Sequence, residues 1–281
     1  MSGAAVLLAL VLAASPAANP GLLFSKLTAG TWQVWEGDPA SGRESQLTAS
    51  PGDKRSPVRL ADGRVVFTNS NQQAFVLEGK NRREIPFLPS LWPLRDVAAS
   101  AVDRRVAFAR IRTDVEDNAN LGTAGFDGSS TRQLTDVAGI QYNPAWSPDG
   151  TEIAFVGGRG PGSYELFVVA AEGGVPRRLT ENASLEFWPS WDPKGRRIAF
   201  VSDATGDMEI WTADREGGDA RAITRSPGLD TRPVWSPDGT RLAFVTRRTG
   251  TLAIWSMNPD GSDARPLFPG DKEPMCDPSW R

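Results

Sequence analysis

A unit of about 44 residues repeats along this chain, and nothing else in it narrows the possible folds as far. Three copies align residue for residue: Trp146-Ser147-Pro148-Asp149-Gly150-Thr151-Glu152-Ile153-Ala154-Phe155, Trp191-Asp192-Pro193-Lys194-Gly195-Arg196-Arg197-Ile198-Ala199-Phe200 and Trp235-Ser236-Pro237-Asp238-Gly239-Thr240-Arg241-Leu242-Ala243-Phe244. Their tryptophans are 45 and 44 residues apart, and Trp280 follows 45 later. A second marker keeps phase at Leu134-Thr135, Leu179-Thr180 and Ile223-Thr224. Two degraded copies end in Val65-Val66-Phe67 and Val106-Ala107-Phe108. A unit this short cannot bury its own apolar faces, so neighbours must stack.

Each unit reads as four strands. The first ends at the Trp, and Pro-Asp-Gly turns the chain, because proline presets φ and glycine accepts positive φ. Ile-Ala-Phe is the second strand, Glu209-Ile210-Trp211 and Ala253-Ile254-Trp255 exemplify the third, and a fourth ends at Leu-Thr. Strands apolar on both faces suit sheets packed between sheets. Four strands in such a repeat predict an all-β fold, a β-propeller of four-stranded antiparallel blades.

The chain ends suggest the blade count. Leu22, Leu23, Phe24, Gly30, Trp35, Leu47 and Thr48 match Ile198, Ala199, Phe200, Gly206, Trp211, Ile223 and Thr224 at a constant offset of 176, four repeats of 44. The chain thus enters at a second strand and finishes on a first strand, Asp277-Pro278-Ser279-Trp280. This predicts six blades over residues 19–281, the ring closed by pairing of the C-terminal strand with N-terminal ones.

Ala4–Ala14 is an apolar run too short to span a bilayer, and Ser15-Pro16-Ala17-Ala18 suits a signal peptidase. Residues 1–18 read as a signal peptide without a basic n-region, which points to a periplasmic or secreted protein. A single cysteine, Cys276, excludes an internal disulfide. With a net charge of −3 and no basic block, no nucleic-acid partner is expected.

Trp-Ser-Pro-Asp-Gly-Thr-x-Ile/Leu-Ala-Phe, followed by Glu-Ile-Trp and Leu-Thr, resembles the repeat of the TolB propeller family. The copies from Asn143 to Trp280 match well; Val58–Pro86 and Val97–Leu121 match weakly, lacking the Trp and the Ser-Pro-Asp. The resemblance implies a periplasmic propeller that binds another envelope protein. The family pattern also includes an N-terminal α/β domain, for which residues ahead of the repeats leave no room.

The chemistry is narrowed by the absence of histidine. No Ser-His-Asp or Cys-His arrangement and no H-E-x-x-H zinc site can form. The histidine-dependent lactonase and oligogalacturonide-lyase propellers are excluded likewise. Asp149 and Asp238 recur in the Pro-Asp-Gly turns and read as turn residues, and the Gly157–Gly162 stretch as a hairpin loop with no helix behind it. Asp203, Asp207 and Glu209 offer part of a calcium loop but fewer oxygens than calcium takes. Asn182-Ala183-Ser184 is a sequon by pattern. Cys276 stands where other repeats have Tyr142, Phe187 and Thr231 and reads as packing. Most tryptophans fall on repeat positions; Trp92 and Trp188 are out of phase and expected to be exposed. No catalytic residue, metal site or cofactor is assigned.

Three residues before each Trp, or before the aligned Val58 and Ala99, stand Arg55, Asp96, Asn143, Trp188, Arg232 and Asp277. They differ while the flanking repeat is kept, which marks them as candidate binding residues at the channel mouth. The expected function is non-enzymatic binding of a protein or peptide in the cell envelope by a monomer at most peripheral to the membrane. The alternative is a carbohydrate-active enzyme or lectin using carboxylates at the mouth, with Tyr142 or Tyr164 available to a sialidase-like site.

Overall fold

A computed structural model describes residues 21–79, 81–91, 93–111, 119–136, 139–158 and 164–280. Residues 1–18, expected to be a signal peptide, and Trp92 lie outside the described residues, as does most of the glycine-rich hairpin loop. Gly157 on one side of that loop pairs with Glu165 on the other, so the two strands it joins are antiparallel neighbours.

The fold is an all-β propeller. Met275–Ser279, Leu22–Thr28, Thr31–Asp38 and Arg43–Gln46 form the first sheet, in that order. Lys54–Arg59, Val65–Asn69, Ala74–Glu78 and Arg83–Pro86 form the second. Two more four-stranded sheets run from Glu186–Trp191 to Arg221–Ala222 and from Asp230–Trp235 to Arg265–Pro266. The remaining eight strands, between Leu94–Ala99 and Arg177–Arg178, make one sheet.

That last sheet corrects the expected architecture of six separate four-stranded antiparallel blades in a closed ring. Five hydrogen-bonded sheets are present, and only four of them are independent and four-stranded. The departure is a parallel pairing of Ala119 with Ile140, supported by the Ala119 amide donating to the Gly139 carbonyl at 3.3 Å. Ladder hydrogen bonding therefore continues from one repeat into the next instead of stopping at its edge. The chain ends do meet: the C-terminal strand pairs antiparallel with Leu22–Thr28, matching Leu23 to Ser279, Ser25 to Cys276 and Lys26 to Met275.

The repeat markers each have a physical task. In the Trp-Ser-Pro-Asp-Gly turn, the Ser147 hydroxyl donates to Asp149 Oδ1 at 2.6 Å, and that oxygen also accepts from the Thr151 amide at 3.0 Å. Ser236, Asp238 and Thr240 repeat the arrangement. These hydrogen bonds favour the charged carboxylate and hold Asp149 down to about 2. Gly150 and Gly239 both sit at φ +70°, which a Cβ would strain. In the Leu-Thr marker the threonine hydroxyl accepts the amide of the third strand: Thr48 from Val34, Thr135 from Leu121, Thr180 from Leu166 and Thr224 from Ile210. The same hydroxyls donate to Gln33, Gln141, Glu186 and Glu209. The marker thus satisfies a buried donor that the short fourth strand leaves open.

Ile153, Ile198 and Leu242 are fully buried, as are Leu22, Phe24 and Phe244, so the Ile-Ala-Phe strands form the core between sheets. The Trp146 and Trp191 indoles are buried too and donate to the Ala98 and Ala145 carbonyls of the preceding repeat, each at 3.2 Å. The first strands of all the repeats face one central cavity of about 460 Å³.

Candidate binding site at the channel mouth

Strand register decides which residues are equivalent. Trp146, Trp191 and Trp235 pair with Ile153, Ile198 and Leu242. In the degraded copies Arg59 pairs with Val65 and Ala99 with Val106, so Arg59 and Ala99 hold the Trp position. Ser56, not Arg55, is therefore the residue three places ahead. The alignment on Val58 slips by one because that copy has no Trp to fix it. Ser56, Asp96, Asn143, Trp188, Arg232 and Asp277 all line the central cavity; Arg55 is not among the lining residues but is hydrogen-bonded to Asp277, which is.

Their backbone is as distinctive as their side chains. Ser56, Asn143, Trp188, Arg232 and Asp277 have φ between 50° and 54°, the left-handed region. Each precedes a proline, and the first four coincide with shifts in strand register. A bulge leaves an amide without a ladder partner, and proline has no amide to leave. Each left-handed non-glycine residue costs about 1–3 kcal/mol, which persists only where the surroundings impose it. Asp96 precedes Val97 and lacks the positive φ. The backbone device recurs while the side chains at it vary.

A charged cluster is centred on Asp277, which is 5% exposed. Arg55 Nε donates to Oδ2 at 2.7 Å, the Ser56 amide donates to the same oxygen at 3.2 Å, and Arg232 Nη1 forms an ion pair with Oδ1 at 2.6 Å. Burial pushes the carboxyl upward, but the two guanidiniums outweigh it and hold it well below the usual carboxylate range. Both arginines lie over indoles: Arg55 is 4.4 Å from the ring centre of Trp32, and Arg232 is 4.7 Å from that of Trp188.

On the other side of the cavity, Asp96 Oδ2 accepts from the amide and the Nδ2 of Asn143, at 2.9 and 3.2 Å. Asn143 Oδ1 in turn accepts the Trp188 amide at 3.4 Å. Burial raises the Asp96 carboxyl above its ordinary value despite these donors. Tyr142, Tyr164, Phe187 and Trp188 form a continuous aromatic run with centroids 5.3–6.3 Å apart, and Arg95 lies 4.9 Å over Tyr142. Trp188 is half-buried in this run, not freely exposed.

The other singled-out residues are held elsewhere. Asp203 Oδ1 accepts the Leu185 amide, and Glu209 accepts from Thr224 and the Ser226 amide. Among the described residues no group of three metal-ligating side chains converges. Cys276 is buried beside Asp277, and burial pushes its thiol up. Asn182 donates to Glu186 Oε1 at 2.7 Å. Sequence reasoning missed Trp32 and Arg95. Placing every tryptophan against the repeat would have exposed Trp32, three residues ahead of the in-phase Trp35.

The family model for the TolB beta propeller domain matches residues 98–280. The chain belongs to this family. TolB from Acinetobacter baumannii has 18% sequence identity and a TM-score of 0.79, covering 94% of this chain and 67% of that one. A putative TolB from Agrobacterium tumefaciens has 20% identity and a TM-score of 0.75, covering 89% and 88%. The dipeptidyl-peptidase 5 of Porphyromonas gingivalis is 36% identical over 74 residues, 25% of this chain but only 11% of that relative. Structures of a puromycin-hydrolyzing peptidase, a puromycin hydrolase and oligogalacturonate lyases share the fold of this TolB-type propeller at lower TM-scores.

Proposed function

We propose that this TolB-type propeller is an envelope-located scaffold that binds a protein or peptide at the channel mouth without catalysing a reaction. The observation that carries this reading is the set of left-handed, strained positions whose side chains vary while their backbone recurs. Strain kept at one face of a rigid scaffold, with Trp and Arg placed on it, fits recognition. The carbohydrate-enzyme reading has one observation in its favour: Asp96 and Asp277 line the same cavity with acidities pushed in opposite directions. Against it, both Asp277 oxygens are engaged by guanidiniums, which leaves a poor base or nucleophile. Envelope location is supported by the sequence of residues 1–18 and by family membership.

The test is capture from envelope extract by the wild type, Trp188→Ala and Arg232→Ala, with thermal stability measured for each. Both substitutions are expected to lose the captured partner while the protein stays folded. Capture that survives both would place the site elsewhere.

A further inference from the structure

The cations at the mouth have more hydrogen-bonding capacity than the mouth uses. Each guanidinium offers five N–H donors. Among the described residues Arg55 donates to Asp277 through Nε, Arg232 pairs with Asp277 through Nη1, and Arg95 lies over the Tyr142 ring with its charge acting on Asp96. The charges do not balance either. Asp277, Asp96 and Asp53, the last acting on Arg55, are three carboxylates against four cations, these three guanidiniums and Lys54, whose ammonium is tied to the Ser50, Pro51 and Gly52 carbonyls. The nearby Arg248 is already paired with Asp230 at 2.6 Å.

These cations are also held in place. Trp32, Tyr142 and Trp188 each carry one guanidinium on a ring face. Planar guanidiniums fixed this way are preorganised for a carboxylate, and little side-chain entropy remains to be lost on binding. The same stacking argues against a sugar ring as ligand. Trp188 is in contact with both Arg232 and Phe187, and Tyr142 with both Arg95 and Phe187, which leaves less ring surface for a pyranose.

We propose that the mouth selects an acidic peptide segment, whose carboxylates take the unused guanidinium hydrogens of Arg55, Arg95 and Arg232. This rests on the peptide-binding reading above and adds the chemistry of the partner. Asp277 then acts as a positioning residue that fixes two of the three cations without touching the ligand.

The experiment is selection of short peptides from a random displayed library on the wild-type protein, with oligogalacturonate as a competing anionic probe. Selected peptides are expected to be enriched in Asp and Glu. Their affinity should drop about tenfold in Arg95→Gln, roughly one lost charge-assisted hydrogen bond. Among the described residues Arg95 forms no ion pair, and Asp96, on which its charge acts, keeps its hydrogen bonds from Asn143, so a nearly unchanged melting temperature is expected. Arg232→Gln serves as the second variant, with its melting temperature measured alongside. Affinity should also fall as ionic strength is raised from about 0.05 to about 0.5 M. Neutral or basic peptides that still need Trp188 would overturn the acidic assignment and leave the peptide reading standing. Selection of no peptide would overturn both, and oligogalacturonate that displaces the peptides or binds in their place would overturn the peptide class.

Discussion

Asp96 and Asp277 share a cavity and answer to opposite physics. Asp277 has its folded acidity pushed below the ordinary carboxylate value, so its stabilisation is complete above that value and is lost only as pH falls through the lower folded one. Asp277→Asn should therefore destabilise the protein throughout the neutral range, by about 3–5 kcal/mol, because two guanidiniums lose their buried partner. Asp96 is raised by burial, so the folded state holds its proton more tightly than the unfolded chain. Its contribution falls as pH rises from the ordinary value through the folded one. Glu44, Glu186 and Glu209 are raised by burial in the same sense. Asp96→Asn should flatten part of that decline and cost little at neutral pH. Urea midpoints at about pH 4.5 and about pH 8 separate the two variants. A neutral-pH loss in Asp96→Asn as large as that in Asp277→Asn would show that both carboxylates are structural ion-pair partners.

At the scale of elements, the C-terminal strand joins the chain ends and carries the cluster. It pairs with Leu22–Thr28, buries Cys276 and supplies Asp277. Trp280, at the repeated Trp position, is only half-buried and lines the cavity, so the strand's value rests more on the paired backbone and the carboxylate. Truncation after Met275 should remove at least the about 3–5 kcal/mol of a broken buried ion pair and lower the melting temperature by several degrees. An unchanged melting temperature would mean that the junction of the chain ends contributes nothing. The strand pattern was legible because Trp, Ile-Ala-Phe and Leu-Thr each solve a local problem that recurs in the well-kept repeats, while Arg59 and Ala99 stand at the Trp position of the degraded ones. The bulge ahead of each Trp was not, since its sign is a proline after a variable residue rather than a constant one. Nor could periodicity reveal the Ala119–Ile140 pairing, which depends on how closely two neighbouring repeats approach.

For the whole molecule the open question is whether the cavity does chemistry, and the charges in it give a definite expectation. The chain has no histidine, so side-chain proton transfer must rely on carboxylates, phenols, lysine amines or the thiol. Burial raises both the Tyr142 phenol and the Cys276 thiol, which disfavours their nucleophilic forms. Asp149 and Asp238 spend their oxygens on turns, and Asp277 is spent on two arginines. Asp96 alone is raised and open to the cavity, and a glycoside hydrolase needs a second carboxylate as base or nucleophile. The purified protein is therefore expected to turn over neither chromogenic glycosides nor esters nor peptides. Turnover abolished by Asp96→Asn would assign that residue as a general acid, and Asp277→Asn would then show whether the doubly paired carboxylate serves as its partner. Turnover unaffected by either substitution would point to Asp192, the third carboxylate lining the cavity, whose Oδ1 accepts the Arg196 and Arg197 amides, and loss of that turnover in Asp192→Asn would separate it from a contaminant.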